Sequence, residues 1–141
     1  MHSITFVLLR PPIVDIEETI DALLLPHRLD EQHYDRPWRY DYWTIGDGNI
    51  TDAETAAAVD LAGDGDYGPN VCFVSRLGDR CTPGDIVTPD GVWHGLYDFG
   101  WKFLERETPA GEEAYARWCA HAAEVLAAHQ DCVAVEIDTH S

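Results

Sequence analysis

A continuous apolar run near the start of the chain, residues 4–9, restricts the fold more than any other sequence feature. The run reads Ile-Thr-Phe-Val-Leu-Leu and ends at Arg-Pro-Pro. A short β-prone run bounded by residues that break regular structure is typical of a buried strand. We therefore expect the first strand of a sheet here.

The rest of the chain alternates between helical and strand patterns. Asp15 precedes Ile16, Ile20 and Leu24 at helical spacing, with Glu18 placed as in an acidic capping box. Thr108 and Pro109 resemble an N-cap followed by proline at the first helical position, and a long helix follows them. Further strands are expected at residues 40–45, 71–75 and 133–137, a short helix at 51–62, and a β-hairpin with arms 86–88 and 92–94.

This order of elements predicts one α+β domain that spans residues 1–141. Strands mixed with helices favour a mixed or antiparallel sheet with helices packed against it. The expected architecture is a ferredoxin-like sandwich in which the two main helices cover one face, and the middle of the chain is an insertion.

The formal net charge is −17, with 26 acidic and nine basic side chains. Such a chain repels phosphate backbones and anionic lipid surfaces, so we expect no direct nucleic-acid binding and no membrane attachment. A small molecule or a protein is the expected partner. The oligomeric state is left open.

Four cysteines, Cys72, Cys81, Cys119 and Cys132, show none of the close spacings that structural zinc sites use. The first apolar stretch is too short for a signal peptide or a membrane span. A cytoplasmic location with free thiols is the expectation that follows.

The segment at residues 38–46 interleaves four aromatic rings with one base and one acid. Arg39, Tyr40, Tyr42 and Trp43, together with Trp93 after the hairpin turn, are the candidate ligand-binding residues. Aromatic walls suit a flat ligand whose polar edge Arg39 or Asp41 would fix. The alternative is that Trp43 and Ile45 belong to the core, that Tyr40 and Tyr42 are half exposed, and that Asp41 pairs with Arg39 or caps a backbone turn.

A second candidate site combines His94 with two residues near the C-terminus, Asp138 and His140. Two imidazoles and a carboxylate could bind Zn²⁺, Mn²⁺ or Fe²⁺ if the strands that carry them are neighbours. Without metal, Asp41, His94 and His140 are the candidate catalytic residues, with a carboxylate orienting a histidine as general base. The alternative is that His94 and His140 are ordinary surface residues.

Four stretches occur in the same order as in a group of small uncharacterised proteins common in actinobacteria and their phages. They are Leu-Leu-Pro-His at 24–27, Tyr-Asp-Tyr-Trp-Thr-Ile-Gly at 40–46, Pro-Asp-Gly-Val-Trp-His at 89–94 and Asp-Thr-His at 138–140. The chain resembles that group over nearly its whole length. It departs from the group at 47–49, where Asp-Gly-Asn stands in place of Gly-Arg-Trp. The resemblance implies a phage or mobile-element setting, and it implies no particular reaction.

Three functions are compatible with these features. The first is a small acidic intracellular binding protein with an aromatic-lined pocket for a small molecule or a partner segment. The second is a metal-dependent or histidine-assisted hydrolase that uses His94, Asp138 and His140. The third is an inhibitor whose acidic surface imitates nucleic acid. The distances among Asp41, His94, Asp138 and His140 decide whether the second has a site.

Overall fold

The computed structural model describes residues 1–100 and 107–141. The strands are β1 His2–Leu9, β2 Tyr42–Ile45, β3 Val71–Phe73, β4 Asp85–Val87, β5 Trp93–Gly95 and β6 Val133–His140. The helices are α1 Ile16–Leu24, α2 Ala53–Ala58 and α3 Pro109–Ala127. The expected α+β class with a mixed sheet is confirmed. No helix among the described residues is long and apolar enough to cross a membrane.

Strand β6 lies inside the sheet and pairs with three other strands. Along one edge it is antiparallel to β1, from His2 opposite His140 to Leu9 opposite Val133. Along its other edge it pairs with β2 near its C-terminal end and with β3 near its N-terminal end. Strand β1 continues the sheet through a parallel pairing with β4, and β4 forms the expected antiparallel hairpin with β5.

The two main helices lie on opposite faces of this sheet. Val7 and Leu9 belong to the hydrophobic cluster that contains Ile20 of α1. Phe6 and Leu8 belong to a second cluster, which contains Trp118 of α3. Because side chains alternate along a strand, these two clusters are on the two faces of β1.

The expectation that both helices cover one face is therefore wrong. Phe6, Val7 and Leu8 are each fully buried, so both faces of β1 need cover. The parallel pairing of β1 with β4 also differs from the expected ferredoxin-like sandwich.

The sequence predicts the N-cap of α3 correctly but not that of α1. The side chain of Thr108 accepts a hydrogen bond from the backbone N–H of Gly111 at 3.1 Å, so the predicted N-cap of α3 is confirmed. Asp15 forms no such bond at the start of α1, and its backbone has a positive φ of 48°. The acidic capping box predicted for α1 is therefore absent.

A buried acid joins α2 to the turn that follows β3. The Asp52 carboxylate accepts hydrogen bonds from the Arg76 guanidinium at 2.7 and 3.2 Å, and from the Thr55 hydroxyl at 2.5 Å. These bonds favour the ionised form and lower the pKa of Asp52 from 3.8 to about 2. A lowered pKa stabilises the fold above the unfolded-state value, so this contribution is lost as the pH falls from about 4 to about 2.

We predict that Asp52→Asn lowers the melting temperature at pH 7 by roughly 5 °C, because the substitution removes a buried carboxylate that pairs with Arg76. The difference from the unmodified protein should shrink as the pH falls towards 2. Glu54→Gln is the matched control, since Glu54 pairs with the same arginine but its side chain is 78% exposed. Equal effects of the two substitutions in thermal melts at several pH values would contradict this account.

Candidate active site

Three strand ends meet at one end of the sheet. His140, near the end of β6, is paired with His2 of β1 on one side and with Tyr42 of β2 on the other. Residues paired in this way present their side chains on the same face of the sheet. The three rings therefore cluster on one face, with centroids 4.6, 5.0 and 6.4 Å apart.

Asp41 orients His140. The ring Nδ1 of His140 lies 2.7 Å from Oδ1 of Asp41, and the backbone N–H of Asp41 donates to the carbonyl of His140 at 2.9 Å. The hydrogen bond from His140 lowers the pKa of Asp41, so the carboxylate is ionised and accepts. With Nδ1–H bound to Asp41, the other ring nitrogen of His140, Nε2, is left for other partners.

His2 forms a second pair of the same kind with Asp138. Its Nδ1 lies 3.0 Å from Oδ1 of Asp138. The ring centroids of His2 and His140 are 5.0 Å apart with an angle of 66° between the planes. Two imidazoles, each with a carboxylate at Nδ1, thus lie in edge-to-face contact at this end of the sheet.

Tyr42 contacts both histidines. Its ring stacks on His140 with centroids 4.6 Å apart and an angle of 12°, and it meets His2 edge-on with centroids 6.4 Å apart. Tyr42 is 48% exposed, and the side chains of His140 and Asp41 are 29% and 36% exposed. The site is therefore open to solvent, while His140 contacts one stacked ring and one edge-on ring.

His94 does not join this site. It lies on β5, three strands away from β6 in the sheet, which corresponds to roughly 14 Å. Its Nδ1 is 2.9 Å from Nε2 of His121 on α3, and burial lowers the pKa of His94. Asp138 and His140 thus lack the third ligand that the sequence suggested. Within residues 1–100 and 107–141, no group of three or more histidine, cysteine, aspartate or glutamate side chains is arranged to hold a metal ion.

Two of the candidate ligand-binding aromatics are core residues. Tyr40 and Trp93 are 3% and 6% exposed and stack on one another with centroids 5.9 Å apart. The chain bends at Asp41 before β2 begins, so Tyr40 and Tyr42 do not share a face as strand alternation predicted. Tyr40 instead packs in the hydrophobic cluster that contains Ile20 of α1.

The other candidate ligand-binding residues have partners within the protein. The ring N–H of Trp43 donates to Asp21 of α1 at 2.7 Å. Arg39 pairs with Asp98 at 2.8 Å rather than with Asp41. Part of the aromatic segment nevertheless lines an open cleft of about 200 Å³, whose walls are Asp21, Arg28, Tyr40, Asp41, Tyr42 and Trp43.

Sequence reasoning missed His2. Nothing in its immediate neighbours marks it, and its importance depends on the antiparallel pairing of β1 with β6. The signal that could have found it is a histidine just outside each of two predicted strands, before residues 4–9 and after residues 133–137.

Comparisons with protein-family models, with curated proteins and with solved structures find no match to this chain.

We predict that His140→Ala raises the pKa of Asp41 towards its ordinary value, because the hydrogen bond that stabilises the carboxylate is lost. The side-chain carboxyl carbon of Asp41, followed by NMR during a pH titration, reports this change. His33→Ala is the control, since His33 forms a similar pair with Asp30 at 2.6 Å far from β6 in the chain. It should raise the pKa of Asp30 and leave Asp41 unchanged, and an Asp41 titration unaffected by His140→Ala would show that the pair does not form.

Proposed function

We propose that this protein is a histidine-assisted hydrolase whose acid and base are the two histidines at the end of the sheet. The observation that supports this most strongly is the pair of imidazoles 5.0 Å apart, each with an aspartate at Nδ1. Hydrolysis needs one group that accepts a proton and one that donates a proton, and histidine serves in both roles near neutral pH.

In the proposed reaction, His140 is the general base. Its Nε2 accepts a proton from a water molecule while the water oxygen forms a bond to the electrophilic centre of the substrate. Asp41 holds the ring in the required tautomer and stabilises the positive charge that develops on it. Asp41 is a positioning residue in this scheme.

His2 is the general acid. Its Nε2 donates a proton to the leaving group as the bond between that group and the substrate breaks, and Asp138 stabilises the charged ring beforehand. The proton gained by His140 and the proton lost by His2 balance over one turnover. One ring must start neutral and the other protonated, so the scheme requires a bell-shaped dependence of the rate on pH.

This proposal keeps Asp41, Asp138 and His140 from the sequence-derived hydrolase hypothesis and replaces His94 with His2. The position of His94 beside His121, on another part of the sheet, is the reason for the replacement.

A second candidate is a binding protein without catalysis, which the sequence favoured. The cleft of about 200 Å³ beside Tyr42 and Trp43 supports it, because an aromatic wall next to the charged Arg28 and Asp41 suits a small polar ligand. The hypothesis that the acidic surface imitates nucleic acid stays a prediction.

We predict that His140→Ala and His2→Ala each lower the rate of hydrolysis by roughly 100-fold or more, because each removes a proton-transfer group. Asp41→Asn should give a smaller loss, since the imidazole remains but is misoriented. Initial rates on a panel of nitrophenyl esters and nitrophenyl phosphodiesters provide the measurement.

His33→Ala is again the control and should retain the full rate. The hydrolase proposal fails if the protein shows no turnover above that of the His2→Ala, His140→Ala double variant on this panel. In that case saturable binding in the cleft, unaffected by His140→Ala, would support the second candidate.

A further inference from the structure

A small cavity lies at the same end of the sheet as the two histidines, and a carboxylate faces it. The cavity has a volume of about 130 Å³, and its walls include His2, Ser3, Asp85, Leu96 and Tyr97. Asp85 is the first residue of β4. The cavity therefore shares one wall residue, His2, with the proposed active site.

Asp85 is held in place by two uncharged donors. Its Oδ2 accepts a hydrogen bond from the Ser3 hydroxyl at 2.6 Å, and its Oδ1 accepts one from the ring N–H of Trp93 at 2.9 Å. Each carboxylate oxygen can accept further bonds. The side chain is thus fixed in direction but has capacity left for a ligand.

No cation among the described residues forms an ion pair with Asp85. The nearby Arg39 is bound to Asp98 at 2.8 Å, and Asp98 adds a second negative charge close by. Burial raises the pKa of Asp85 despite the bonds from Ser3 and Trp93 and the attraction of Arg39. A partly buried carboxylate that no cation of the described residues pairs with is costly, so a cation bound beside it would offset that cost.

We propose that this cavity binds a small organic cation, the ammonium or guanidinium group of a ligand. A cation of this type carries N–H donors for the free lone pairs of Asp85, in addition to its charge. The Tyr97 ring on the cavity wall suits the same charge through a cation–π contact.

The size of the cavity agrees with this ligand class. A volume of about 130 Å³ is well above the roughly 10–15 Å³ of such space that one water molecule needs, so the cavity can admit a group of several non-hydrogen atoms such as guanidinium. The net charge of −17 also raises the local concentration of cations at the surface.

The first test is a titration of the unmodified protein with methylguanidinium chloride, followed through the backbone amide signals in NMR. We expect saturable shifts centred on residues 84, 85, 96 and 97. Methylurea, which has the same shape without the charge, and sodium chloride at equal ionic strength should produce no saturable shift there. Equal titration curves for methylguanidinium and methylurea, or no saturable shift with either, would overturn the proposal.

The second test replaces the carboxylate. Asp85→Asn should weaken methylguanidinium binding about tenfold or more, because the ionic hydrogen bond is lost. Asp79→Asn removes the same charge from an exposed turn and should leave the affinity unchanged. An unchanged affinity in Asp85→Asn, or an equal loss in both variants, would contradict a role for Asp85.

Two further measurements test methylguanidinium binding without relying on the folding of Asp85→Asn or on catalysis. In the unmodified protein, methylguanidinium should lower the pKa of Asp85, read from its carboxyl carbon, because the cation favours the ionised form. His140→Ala should bind methylguanidinium as tightly as the unmodified protein, even though hydrolysis is lost. Saturable binding by an unmodified protein that shows no hydrolysis supports the cation site and contradicts the hydrolase, and hydrolysis by an unmodified protein that shows no saturable binding does the reverse.

Discussion

The antiparallel pairing of β1 with β6 is the interaction on which the rest of the structure depends. It joins the two ends of the chain over the full length of both strands, from His2–His140 to Leu9–Val133. The two helices pack on opposite sides of this pair, and β2, β3 and β4 attach to its edges. The same pairing sets His2 beside His140, so the contact that organises the fold also forms the candidate site.

The acidic residues of this chain act in different ways according to their surroundings. Asp52 is buried and matched by Arg76, so its charge stabilises the fold. Asp41 lies at an open edge and orients a histidine. Asp85 is enclosed without a cation among the described residues, and burial raises its pKa. The formal charge of −17 therefore excludes partners of like charge, while the site chemistry depends on which of these acids lack a counterion.

Local sequence patterns predicted most elements, because each long strand and helix carries its own hydrophobic signal. The positions of β1, α3 and the β4–β5 hairpin needed no long-range information. The arrangement of the helices on the two faces of the sheet did need it, although β1 gave an indication: a strand with the uninterrupted apolar run Phe-Val-Leu-Leu at 6–9 is buried on both faces. In the site, Asp41 and His140 were identified by type but not as a pair, since they lie 99 residues apart. His94 was misplaced because the strand order, which local patterns do not contain, puts β5 far from β6.

If Asp41 and Asp138 position the two rings, each neutral imidazole carries its proton on Nδ1, where it bonds to the carboxylate, and none on Nε2. Nitrogen-15 NMR of the imidazole rings, at a pH where they are neutral, measures this directly. His129 and His27 provide internal references, since they contact the carbonyls of Val125 and Gly91 through Nδ1 and Nε2 respectively. The account predicts that His2 and His140 match the Nδ1–H pattern of His129. A match of both rings to the Nε2–H pattern of His27 would contradict it.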